Sequence, residues 1–165
     1  MKMNKYKKIL IIGSDGYIGS ALTNYLKKKK FKITTLDTGY FRDGILEKTH
    51  KSILNIDVRK LKENNIKKFD VVIFLAASQN DPSDTINPYK FYEISKRYTI
   101  RVAKICKKNN IKFIFPSSCS VYGYGQNKFS EKTMTFPLTN YSKNKKAIEK
   151  ELSKLADKNF SPIAL

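Results

Sequence analysis

The 165-residue sequence has little cysteine, histidine or acid. Two cysteines, Cys106 and Cys119, make no disulfide framework, so a reducing cytoplasm is the expected compartment. The single histidine, His50, reads as a surface loop residue, and no metal site is expected. No apolar run approaches the roughly 18 residues that a membrane span needs. The start, Met1 to Lys8, is basic, but the apolar stretch behind it (Ile9 to Ile12) is too short for a signal peptide. Internal repeats, low-complexity segments and linkers are missing too. The expectation is therefore one domain over residues 1–165. A hydrophobic fraction of 41% suffices for a core, and aromatics at 12% argue against disorder.

Lys and Arg number 33 against 14 Asp and Glu, a formal net charge of +19. Such a charge invites a nucleic-acid reading, but the distribution disfavours it. Lys27 to Lys30, Lys67 and Lys68, Lys107 and Lys108, and Lys145 and Lys146 are spread along the chain, where helices would end or face solvent. A positive field of this kind also draws in anionic phosphate ligands.

Short apolar runs alternate with amphipathic stretches. Lys8–Ile12, Phe31–Leu36, Ser52–Ile56, Asp70–Leu75, Ile111–Phe115 and Pro162–Leu165 read as strands. Gly16–Lys29 reads as a helix with Ile18, Ala21, Leu22, Tyr25 and Leu26 on its apolar face, and Val58–Asn64 as a short helical turn. Pro88–Lys108 is a long helix with Phe91, Ile94, Tyr98, Val102 and Ile105 on one face, and Asn140–Lys158 is another. This alternation predicts an α/β fold: a doubly wound parallel sheet, three-layer α/β/α, of order 3-2-1-4-5-6. Ligands of such sheets bind beyond the carboxyl ends of the strands. The segments expected there are Gly13–Gly16, Asp37–Lys48, Ala76–Asn87 and Pro116–Pro137.

Gly13-Ser-Asp-Gly16-Tyr17-Ile18-Gly19 follows the first strand and opens the first helix. The first glycine allows a tight turn, the second a close approach of backbone to a pyrophosphate, and the third close packing of helix on strand. The helix N-terminus offers free N–H groups and a partial positive charge to the phosphates. Asp37 ends the second strand, eighteen residues after Gly19, where a carboxylate accepts hydrogen bonds from ribose hydroxyls and repels a 2′-phosphate. NAD is therefore favoured over NADP, with Arg42 as the one nearby residue pulling the other way. Asp57, after the third strand and beside Val58, either reaches the adenine amino group or is plain turn chemistry.

Tyr141 and Lys145 stand at i and i+4, neighbours on one helix face. A nearby cation favours phenolate over phenol, and a phenol so tuned can take a proton from a substrate hydroxyl. Alone, this pair carries little in a lysine-rich chain. Taken together, the glycine turn, Asp37, Phe74-Leu-Ala-Ala77, Ser117-Ser-Cys-Ser-Val-Tyr-Gly123 and Tyr141-Ser-Lys-Asn-Lys145 resemble the extended short-chain dehydrogenase/reductase family, in its branch of NAD-dependent nucleotide-sugar epimerases and dehydratases. Gln79-Asn-Asp-Pro82 and Phe160–Leu165 are similar to stretches of one sugar-nucleotide branch, and the resemblance runs along nearly the whole chain.

The resemblance implies that Ser118 hydrogen-bonds the reacting oxygen. It makes Tyr141 the general base and acid, and it has Lys145 bind the nicotinamide ribose and lower the tyrosine pKa. Leu75, Ala76 and Ala77 would line the cofactor. The expected cofactor set is then Gly13, Gly16, Tyr17, Ile18, Gly19, Asp37, Asp57, Val58, Leu75, Ala76, Ala77, Tyr141 and Lys145. Ser95 stands where the family often has Asn, and Pro116 where it has a small polar residue. The 4,6-dehydratases need an Asp-Glu pair after the catalytic Ser or Thr. Here the positions hold Cys119 and Ser120, which disfavours dehydration. Cys119 itself is expected to pack at a strand end rather than to act as a thiol nucleophile.

The resemblance also implies a second half, in proteins about twice this length, that builds a small substrate domain. It implies a homodimer through helices 88–108 and 140–158. The expectation is thus the NAD-binding portion of a nucleotide-sugar epimerase, cut within the sixth strand. The alternatives are a nucleotide-sugar dehydrogenase or reductase of the same family, and a non-catalytic dinucleotide- or partner-binding module.

Overall fold

The computed structural model describes residues 8–40, 54–77, 87–125 and 128–165, with backbone only at 88–91. Arg42, His50, Ser52, Ile53, the stretch Gln79–Pro82 and the side chain of Phe91 lie outside the described residues.

Six parallel strands, β1 (Lys8–Ile12), β2 (Lys32–Asp37), β3 (Leu54–Asn55), β4 (Val71–Phe74), β5 (Lys112–Phe115) and β6 (Ile163–Ala164), form one sheet of order β3-β2-β1-β4-β5-β6. This is the doubly wound order expected from the alternation. Among the described residues four α-helices connect them: α1 (Tyr17–Lys28), α2 (Glu63–Ile66), α3 (Pro88–Lys108) and α4 (Asn140–Leu155). The central strands are short and rich in Ile, Val and Phe because both of their faces are covered. Successive side chains alternate between faces. Leu10, Ile12, Leu36, Val72, Phe74, Phe113 and Phe115 point to one side and pack with Ile66 of α2, Val102 and Cys106 of α3, and Ile148 and Leu152 of α4. Ile9, Ile11, Val71 and Ile73 point to the other side and meet Leu22 and Leu26 of α1.

The first helix is rotated from its expected apolar face. Ile18, Ala21 and Tyr25 are exposed, Leu22 and Leu26 half-buried, and Gly19, Ser20, Thr23 and Asn24 buried. Gly19 causes this: a Cβ there would come within 2.8 Å of Ser14 Cα, so the helix start lies flush on the preceding turn and only small side chains fit below it. Thr23 satisfies its hydroxyl internally, donating to the Gly19 carbonyl at 2.7 Å. In α3 likewise Ile94 is exposed, while Tyr92, Thr99, Val102, Ala103 and Cys106 face the core. The helical turn expected over 58–64 divides into a 3₁₀ turn at Val58–Lys60 and the separate α2.

Helices α3 and α4 are tied at their ends. Lys107 Nζ donates to the Leu155 carbonyl at 2.8 Å and pairs with Asp157 at 2.7 Å. Arg101 donates to the Arg59 and Leu61 carbonyls, docking the 3₁₀ turn on α3. No described helix is long and apolar enough to cross a membrane.

Candidate dinucleotide and catalytic site

The carboxyl ends of β1, β2 and β4 interlock. The amides of Leu75 and Ala76 donate to the Ile12 carbonyl, and the Gly13 amide donates to that of Leu36 at 2.8 Å. Gly13 has φ +87°, and a Cβ on it would lie 2.7 Å from the Leu75 carbonyl carbon, so this turn needs glycine twice over. Gly16 is different. An added Cβ would meet nothing closer than the Gly13 carbonyl at 3.5 Å. The protein itself leaves room there, and a phosphate group laid on the helix N-terminus would fill it.

Gly16 caps α1 without a side-chain hydrogen bond, and the first turn holds no acid. The leading N–H groups of a helix have no partner inside it, so the turn keeps both donors and field for an anion. Tyr17 and Ile18 are exposed beside it, at 77% and 58%. Ser14 and Asp15 are buried under the turn, and the Ser14 hydroxyl donates to Asp15 Oδ1 at 3.1 Å.

Asp37 closes β2 facing this turn. Its Oδ2 accepts from the Asp15 amide at 3.0 Å and its Oδ1 from the Gly39 amide at 3.0 Å. Gly13, Asp37, Thr38, Asp57, Val58 and Ala76 line one small cavity. An adjoining cavity of about 230 Å³ shares Asp57, Val58 and Ala76 and reaches Ala77 and Ser95. Asp57 is already engaged. Its Oδ1 accepts from the Arg59 amide at 2.8 Å, its Oδ2 from the guanidinium, and Arg59 holds its carboxyl below the ordinary range. Turn chemistry is thus realised at Asp57 while the residue still lines the cavity. A further cavity of about 650 Å³ lies elsewhere, along α3 with Glu151 of α4, and shares no residue with the glycine turn.

The other half of the rim comes from β5 and α4. Thr139 and Ser142 form a reciprocal cap: the Ser142 amide donates to Thr139 Oγ1 at 3.1 Å and the Thr139 amide to Ser142 Oγ at 3.0 Å. The cap fixes the start of α4 and so sets Tyr141 in its first turn, half-buried. One turn on, Lys145 is only 3% exposed. Its ammonium donates to the Pro116 carbonyl at 2.7 Å and lies 4.6 Å from the Phe115 ring centroid and 5.5 Å from that of Tyr141. Burial pulls its pKa down to about 8. Pro116 is its one hydrogen-bond partner among the described residues, so two of three N–H donors stay open in a nearly closed site. That is the donor set a ribose diol would satisfy.

Ser118 caps the 3₁₀ turn Cys119–Tyr122, accepting from the Ser120 amide at 3.2 Å, with its hydroxyl 2.8 Å from Ser120 Oγ. This register turns Val121 inward and Cys119 outward. Cys119 is therefore exposed, not packed. Cys106 is the buried cysteine, its thiol pushed up to about 12 by burial. Among the described residues no group of three His, Cys, Asp or Glu could hold a metal ion.

Sequence reasoning did not find the Asp15 amide on Asp37, the Pro116 carbonyl under Lys145, or Glu149. Glu149 takes the Ser117 hydroxyl on Oε1 and pairs through Oε2 with Lys146 at 3.1 Å. Only Glu149 had a usable signal: it stands at i+4 from Lys145 and i+8 from Tyr141.

Fold and site together define a doubly wound α/β protein whose polar groups gather at the carboxyl rim of the sheet. The chain belongs to the NAD dependent epimerase/dehydratase family, whose model matches residues 9–165. Among solved structures it is similar to a UDP-N-acetylglucosamine 4-epimerase from Methanobrevibacter ruminantium M1 in complex with UDP-N-acetylmuramic acid, at 26% identity and TM-score 0.84, covering 98% of this chain and 54% of that one. It shares its fold with UDP-glucose 4-epimerase from Brucella ovis in complex with NAD, at 22% identity and TM-score 0.81, over 96% of this chain and 50% of that one. It also shares it with TunA, an NAD-dependent NDP-hexosamine 5,6-dehydratase of tunicamycin biosynthesis, at 21% identity and TM-score 0.82, over 95% of this chain and 52% of that one. The chain spans about half the length of these proteins.

Proposed function

We propose that this chain is the NAD-binding portion, residues 1–165, of a nucleotide-sugar epimerase. The observation that supports this most is the meeting, on one sheet rim, of an open glycine turn at Gly16, the Asp37 carboxylate and a buried ammonium with unfilled donors at Lys145. NAD, when bound, supplies an acceptor for hydride from a sugar carbon. The chain does the rest. The first turn of α1 takes the pyrophosphate, with Tyr17 and Ile18 against it. Asp37 accepts the adenosine ribose hydroxyls in place of water, and its charge rejects a 2′-phosphate. Val58, Leu75, Ala76 and Ala77 line the walls, and Asp57 lies at the adenine end.

Lys145 donates to the nicotinamide ribose. Tyr141 takes the proton from the sugar hydroxyl as that carbon is oxidised, and returns it when the ketone is reduced on its other face. Ser118 donates to the reacting oxygen throughout. Cys119 and Ser120 supply no carboxylic acid and base for eliminating water, so stereochemical inversion is favoured over dehydration. A homodimer through α3 and α4 completes the reading.

The test is calorimetric titration with NAD and NADP, followed by NMR of UDP-, GDP- and dTDP-sugars incubated with the protein and NAD. NAD is expected to bind more tightly than about 1 mM, a binding energy near 4 kcal/mol, and ahead of NADP. No binding of NAD at that concentration by folded protein overturns the proposal.

A further inference from the structure

We propose that Glu149 is a positioning residue of this site: its carboxylate holds the Ser117 hydroxyl, and through Ser117 it fixes the β5 exit that carries both the Pro116 carbonyl under Lys145 and the Ser118 hydroxyl. The inference rests on the roles proposed above for Ser118, Tyr141 and Lys145.

Tyr141, Lys145 and Glu149 lie at successive i+4 positions of α4, on one face and about 12 Å apart end to end. Two of the three grip the same short segment. Lys145 donates to the Pro116 carbonyl, and Glu149 accepts from Ser117 one residue later. The attachments are thus one helical turn apart on α4 and one residue apart on the strand exit. The Lys145 bond and the Ser117 amide hold the main chain of the exit, and Glu149 adds a hold on its side chain. Together they set the rotation of the exit, and with it the direction of the Ser118 hydroxyl. Ser117 is held from the other side as well, its amide donating to the Leu165 carbonyl at 2.6 Å beyond β6, while the Leu165 amide donates to Phe115 at 3.0 Å. Lys146 occupies the other carboxylate oxygen, so Oε1 remains for Ser117. A surface ion pair with Lys146 alone would need no serine opposite and would not reach the strand.

The experiment uses the full chain with 13Cε-labelled lysine, the Lys145 resonance being assigned from K145R, and follows its NMR titration in wild type, S117A, E149A and E149Q. Glutamine keeps an acceptor for Ser117 without the charge, and S117A keeps the charge without the bond. Loosening the exit admits water to the Lys145 ammonium. Its pKa is therefore expected to rise from about 8 by at least about one pH unit in S117A and E149A, and to stay near the wild-type value in E149Q. Amide exchange at Ser117 speeds up in the same two variants.

An unmoved Lys145 in S117A overturns the inference. So does E149Q behaving like E149A, because charge and not the bond would then be responsible. Should E149A fail to fold, S117A and E149Q decide the matter. Wild-type protein that ignores NAD while Lys145 still moves in S117A removes the cofactor reading alone. NAD binding with Lys145 unmoved removes the positioning role alone.

Discussion

The amide of Asp15 donates to the carboxylate of Asp37 across 3.0 Å, joining the glycine turn to the end of the neighbouring strand. The carboxylate is therefore held in place before any ribose arrives. Asp37→Ala is expected to weaken NAD binding by about tenfold or more, the loss of charge-assisted hydrogen bonds. It should weaken NADP less, so the preference between the two narrows. Parallel calorimetric titrations of both nucleotides read this. Equal losses for the two would place Asp37 in a purely structural role.

Gly16 and Gly19 separate by what surrounds them. Gly19→Ala puts a methyl group against the Ser14 backbone and is expected to lower stability by about 1–3 kcal/mol. Gly16→Ala meets only the Gly13 carbonyl at 3.5 Å, so the urea midpoint should move little while NAD binding drops about tenfold or more. Denaturation curves beside titrations distinguish the two. A Gly16→Ala protein that unfolds early would mean the space belongs to the fold.

Lys145 makes stability depend on pH in a definite direction. Its pKa falls from 10.5 to about 8 on folding because burial disfavours the charged form. Below about pH 8 both states are protonated, and the folded state carries the full cost of the buried ammonium, at most about 3 kcal/mol at 1.36 kcal/mol per pH unit. Between pH 8 and 10.5 only the unfolded state binds the proton, and the cost fades as pH rises. Lys145→Met should therefore gain more over wild type at pH 7 than at pH 9.5 in urea denaturation. A difference that stays constant across that window rules out a depressed Lys145.

Pairing of two copies through α3 and α4 would be salt-dependent. The groove along α3 is lined by Lys96, Arg97, Arg101, Lys104 and Lys108 against Glu93 and, from α4, Glu151. Facing copies bring like charges together, and the screening length falls from about 20 Å in dilute buffer to about 4 Å near 0.5 M salt. Sedimentation velocity should show self-association growing with salt. Association that weakens with salt would point to a contact made elsewhere.

The architecture was readable because β1, β4 and β5 are compact apolar runs and α3 announces itself over Pro88–Lys108, the bounds it has in the structure. The rotation of α1 was not readable from periodicity. Backbone contact at Gly19 outweighed the apolar pattern of Ile18, Ala21 and Tyr25, and a hydrophobic count does not see a missing Cβ. Gly13, Asp37, Asp57, Val58 and Ala76 meet at one cavity, as their places at strand ends implied. The Pro116 carbonyl and the Asp15 amide had no sequence signal, since main-chain groups look alike in every residue. Cys119 was misplaced because capping by Ser118, rather than side-chain polarity, decides which residues of that 3₁₀ turn face inward.

The two sides of the sheet are unequally lined: Phe74, Phe113 and Phe115 crowd the side of α3 and α4, while Ile9, Ile11, Val71 and Ile73 meet α1. The glycine turn grows out of the thinner layer. A dinucleotide bridging α1 to the tips of β2 and β4 would, by mass action, reinforce the layer that has the least hydrocarbon of its own. Thermal tolerance of that half would then track the nucleotide supply more closely than it tracks any mutation in the aromatic half.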